Sequence, residues 1–287
     1  MLKGAMVELA IRKYKLPQWM KPYIMSYLRG NDMSAIKFAA SYINVGRKKG
    51  SIARNEIRLP NGKVFKKEHI AHILNLFYYG EVSVCETSKL WSETHDRTPD
   101  HVRHFRTMCA VEEKRARTIR NLMLGLGYRI GKPTPELIAV FDYIKSLTDW
   151  DERLFAKKIL LNYSYAKPFG YVFYKAFYPV QPEYMRTFGK AFTDHMEEET
   201  LSEKEAEDII REKRIGYERL MEITEHLLML ILRSVNAELP TAKRAGIERE
   251  IVLLRDISLA YPLHRLEELG VDMDVQKEIT YVKMSAR

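Results

Sequence analysis

Cysteine, long apolar runs and the common nucleotide motifs are what this 287-residue chain lacks. Its two cysteines, Cys85 and Cys109, exclude a disulfide-built scaffold, and neither stands in a Cys-x-x-Cys or Cys/His zinc spacing. The longest aliphatic stretch is Leu227–Leu232, far short of the ~18 residues that a membrane-spanning helix needs. The segment from Met1 to Lys15 is basic, and no long apolar run follows it, so it does not read as a secretory signal. Gly-x-Ser-x-Gly, the glycine-rich phosphate loop and the dinucleotide fingerprint are absent. So are internal repeats and low-complexity tracts. What remains is 46% hydrophobic and 30% charged, a balance that excludes both a disordered and a membrane-filling chain. The expected setting is cytoplasmic, with no membrane contact.

Acidic charge is scarce in one place only. Residues 1–68 hold fifteen Lys/Arg against four acids, a net +11, whereas the other 219 residues hold 32 basic and 34 acidic side chains, a net −2. The whole excess of the +9 chain is therefore N-terminal. Lys13, Lys15, Arg47, Lys48 and Lys49 are the candidate contacts for a polyanion or a partner protein. Tyr14, Trp19, Tyr23, Tyr27 and Tyr42 are interleaved with the cations, as base stacking on a single strand would require. No RNP, KH, zinc-finger or helix-turn-helix signature accompanies them. The simpler reading is a solvated basic segment packed on an acidic body.

Punctuation divides the chain into helices. Short ones are expected at 17–28 and 34–45. Asn61-Gly62 between two β-prone triplets predicts a two-stranded ribbon ahead of a plain loop. From Lys66 onward nearly everything reads as helix. A long one runs over 68–93. A second enters through Thr98-Pro99 and stops at Gly125 and Gly127. A third is capped by Thr134 and a fourth opens at Thr148-Asp149. Another is expected at 183–199. Ser202-x-x-Glu205 reads as a capping box opening one helix to about Val235. The last two, 241–258 and 263–269, would be parted by Pro262. Helices joined by short turns imply antiparallel packing.

Helical bundles build metal sites from acids and imidazoles that share a helix face. A hairpin folded near residue 97 brings Glu81 level with Glu113. Farther on, His195 and Glu198 are three apart, on one face. The segment Leu74–Leu126 resembles the ferritin-like superfamily. Its first helix looks like the Glu-bearing helix, and Glu112-Glu113-Lys114-Arg115-Ala116 resembles the acidic run of the second. Thr193–Glu198 resembles that of the fourth, and the likeness spans about residues 66–200. The sequence departs from the family in three ways. Ala116 stands where the family has His, His195 precedes Glu198 in reversed order, and the third-helix region reads Asn162-Tyr163-Ser164-Tyr165.

The resemblance implies an all-α chain: a basic extension over 1–65, a ferritin-like antiparallel bundle over 66–235 and a helical appendage over 236–287. It further implies a metal-binding protein, with iron the first candidate and a di-iron-type oxidoreductase or oxygenase the expected chemistry. Glu81, Glu113, His195 and Glu198 would be ligands and Tyr165 a nearby catalytic donor. The alternative is a metal-free bundle that acts as a binding or assembly subunit, as a homo-oligomer or with a partner. Its basic N-terminus would then contact a partner protein or RNA. One lesser candidate is His101-x-x-His104 with Glu93 or His95 as a surface zinc site. Another, Glu222-x-x-Glu225-His226, reads as a salt-bridged surface stripe.

Overall fold

The computed structural model describes residues 57–58, 64–94, 99–125, 127–166, 200–245 and 248–272. The helices expected at 17–28, 34–45 and 183–199 lie outside them, as do Lys13, Lys15, Arg47, Lys48 and Lys49. The described chain is all-α apart from one small ribbon. Strand β1 (Ile57–Arg58) pairs antiparallel with β2 (Val64–Phe65), Ile57 opposite Phe65 and Arg58 opposite Val64. No helix among the described residues is long and apolar enough to cross a membrane.

Helices α1 (Lys67–Thr94) and α2 (Pro99–Gly125) form an antiparallel hairpin. Its register is visible in side-chain contacts. Cys85 lies beside Cys109, and Trp91 meets Phe105 edge to face at 5.4 Å. Both pairs lie nearly symmetrically about residue 97, the turn position expected from sequence. The loop after α2 is fastened back onto α1. Asn75 Oδ1 accepts the Gly131 N–H at 2.9 Å, and the Tyr79 hydroxyl, one turn on, donates to the Gly131 carbonyl. Thr134 then caps α3 (Pro135–Ser146), its hydroxyl accepting the Leu137 N–H at 3.3 Å with Pro135 in the first turn.

Asp149 caps α4 (Trp150–Phe155), which continues without interruption as a π-helix over Ala156–Ala166. Every residue from 153 to 164 is buried. This element is the centre of the molecule. Helices α5 (Thr200–Arg211), α6 (Tyr217–Ala237) and α8 (Glu248–Glu268) all pack on it. The apolar face of α6 supplies Ile223, Leu227, Leu228 and Ile231, all fully buried. The same helix also covers α3. A helix with no solvent face must be apolar all round or pair its polar groups. Here Leu154, Phe155, Ile159 and Leu160 supply the first, and Lys157 and Lys158 raise the second requirement.

Three expected boundaries are corrected. The long helix from Ser202 to Val235 is two helices, broken at 212–216. Lys213 takes a left-handed φ of 55°. Around it Arg214 N–H reaches Ile209 O and Lys213 N–H reaches Ile210 O, the bond pattern of a Schellman stop. Ser202 is no cap, because α5 already begins at Thr200. Glu205 instead bonds His101 of α2 and Trp150 of α4. Pro262 parts no helices, since it lies inside α8. The separate short helix here is α7 (Leu239–Ala245), which carries Pro240 in its first turn, where a missing N–H costs nothing.

Candidate functional site

The hairpin register brings Glu81 of α1 level with Glu112 and Glu113 of α2. Adjacent helical residues point about 100° apart, so the two α2 acids part company. Glu112 turns inward, is 1% exposed, and accepts a bond from the Arg115 guanidinium at 2.9 Å. Glu113 turns outward, with its side chain 65% exposed, and pairs with Arg117 at 3.2 Å. The buried acid of the hairpin is thus Glu112, not the expected Glu113. Glu81 is half-buried on the stripe that continues through Cys85 and Ser88. His195 and Glu198 fall outside the described residues. Tyr165 belongs to the π-helical segment, but its side chain is outside the described set.

The central helix closes this interior with cations. Lys157 extends its ammonium to the Ser88 hydroxyl of α1 at 3.2 Å, 5.3 Å above the centre of the Trp91 ring. Lys158 reaches the other arm of the hairpin, with its Nζ 3.9 Å from the Met108 sulfur of α2. Met108 lies one turn before Glu112. The two ammoniums therefore reach one arm of the hairpin each. Burying an ammonium costs several kcal/mol unless it is compensated. The ring face of Trp91 returns up to about 2 kcal/mol at a dry site.

Cys85 is set in the same seam. Burial, the neighbouring Cys109 thiol and the carboxylates of Glu113 and Glu112 push its thiol up to about 12. A thiol so placed keeps its proton and is a poor nucleophile.

Among the described residues these donors fall short of an iron centre, and two of the expected ligands, His195 and Glu198, lie outside them. Such a centre needs a surplus of carboxylates to balance the metal charge. Among the described residues the one buried acid of the hairpin, Glu112, is already held by Arg115. Among the described residues no group of three or more His, Cys, Asp or Glu side chains is placed to hold a metal ion. The lesser candidates are engaged elsewhere. His101 pairs with Glu205 at 3.1 Å and lies against the Trp150 ring, while Glu93 is exposed. Glu152 is gripped by Arg219 through two bonds of 2.7 and 2.9 Å. Glu222, on the surface, also pairs with Arg219, and His226 stacks on Tyr143 at 4.3 Å.

Sequence reasoning missed Lys157, Lys158 and the Glu112–Arg115 pair. The signal was present in Leu154–Tyr165, an apolar run broken only by the lysine pair and Asn162-Tyr163-Ser164. A run with no polar stripe leaves the lysines no solvent face to occupy. Comparison with known proteins adds no relative: no protein-family model, no curated protein and no solved structure matches the chain.

Proposed function

We propose that this chain is a metal-free helical-bundle binding or assembly protein, of the kind a ferritin-like bundle becomes when its interior acids are neutralised by its own cations. The observation that carries the reading is that Lys157 and Lys158 of the buried central helix reach Ser88 and Met108 of the α1–α2 hairpin, while the buried Glu112 is already paired with Arg115. A divalent ion at Glu112 would have to displace the Arg115 guanidinium. The interior is then structural, and function passes to the surface. The basic N-terminal extension, with Lys13, Lys15, Arg47, Lys48 and Lys49, is the proposed contact for a polyanionic partner.

Elemental analysis tests the interior. Full-length protein is expressed with added iron and manganese and purified without chelator. Substoichiometric metal is expected, unchanged in Glu81→Gln and Glu112→Gln. Stoichiometric metal that falls in either variant overturns the reading in favour of an iron-dependent oxidoreductase.

A further inference from the structure

We propose that the exposed face of α2 is a seat for the phosphate backbone of a nucleic acid. The inference rests on the binding-protein reading above, and it assigns the contact to the described bundle rather than to the N-terminal extension alone. Arg103, Arg106, Lys114, Arg117 and Arg120 are all exposed. At 100° per residue they fall within an arc of about 120°, and at 1.5 Å per residue they span about 26 Å of a straight helix. Glu113 is the one acid among them, and it is matched by Arg117. Arg106, Lys114 and Arg120 have no carboxylate within 4.0 Å among the described residues. Among the described residues that charge has no acidic partner.

The chemistry of this face selects among polyanions. Four of its five cations are arginines, whose planar forks bind phosphate oxygens two at a time. Ala110 lies between the cations and Asn121 just beyond the last of them, both exposed. These small or polar side chains let a backbone approach and offer nothing to a membrane, since interfacial helices need Leu, Phe or Trp beside their cations. A protein partner would require an apolar anchor at the centre of the patch. The large exposed apolar side chain here is Leu124, beyond the last arginine.

The test uses the full chain and short fluorescent RNA and DNA oligonucleotides, single-stranded and duplex, titrated by anisotropy at several salt concentrations. The log–log salt slope counts phosphates neutralised, at about 0.9 each on duplex and 0.7 on single strands. The variant Arg106→Gln/Lys114→Gln/Arg120→Gln should flatten the slope by about two to three and weaken binding on every sequence alike. The matched variant Lys204→Gln/Arg233→Gln/Lys243→Gln, with exposed residues of other helices, should leave the slope at the wild-type value. All six positions are on the surface, so unchanged melting curves verify folding. Equal slopes in the two variants overturn the proposal, as does wild-type binding confined to phosphatidylserine vesicles or polyglutamate. Loss confined to Arg47→Gln/Lys48→Gln/Lys49→Gln removes α2 while leaving the polyanion reading in place. An absence of oligonucleotide binding removes the nucleic-acid seat and leaves the metal analysis as the separate judge of the interior.

Discussion

Glu112 and Glu113 are neighbours in sequence and opposites in environment. The hairpin register was legible, because it follows from the turn near residue 97 and the lengths of two helices. Which of two adjacent acids faces inward was not, because a helix of mixed polarity has a face boundary uncertain by one residue. Cys85 offers a direct reading of that interior. The folded protein holds its proton well above the ordinary thiol value of 9.0, up to about 12. A raised pKa means the folded state binds the proton more tightly than the unfolded chain. The associated stability is therefore full below about pH 9 and is lost as pH climbs toward 12. Denaturant unfolding across that window should show a steeper alkaline decline in the wild type than in Cys85→Ala. Parallel curves would mean that Cys85 is solvated in the folded protein.

At the scale of elements, α2 and the central helix meet across buried charge. A buried ion pair adds little net stability, but removing one partner strands the other at a cost of about 3–5 kcal/mol. Arg115→Met should lower the unfolding free energy by about that amount in urea titrations. Glu112→Gln/Arg115→Met should recover most of it. A single variant as stable as the wild type would place Glu112 in water. Element boundaries were readable wherever the signal was local chemistry: Thr134-Pro135, Asp149 and the β1–β2 ribbon, although its pairing centres on residue 61 and not on a two-residue turn at 61–62. They were misread where tertiary context overruled it. Lys213 accepts a left-handed stop that glycine usually marks, and Pro262 sits inside α8, whose neighbours hold the helix together around it. The π-helical continuation of α4 has no local sequence signal; it belongs to a segment enclosed on all sides.

Across the whole molecule, charge is sorted rather than balanced. Cations project from the central helix into the interior, line the outer face of α2 and dominate the N-terminal sequence, while carboxylates of α4 and α5 are tied into pairs. Glu152 is bound by Arg219, and Glu207 is shared by Arg211 and Arg265. The sequence resemblance to ferritin-like proteins depends on the order of acids along the chain. The proposed function depends on which cations meet them in space, and that lies beyond spacing rules. The central proposal is that the interior closed by Lys157 and Lys158 holds no metal. Anomalous diffraction at the iron and manganese edges, from crystals of full-length protein grown with both ions, tests it most directly. The account predicts no anomalous peak between α1, α2 and the central helix, with both ammoniums resolved there. A peak coordinated by Glu81 and Glu112, with the lysines turned aside, would contradict it.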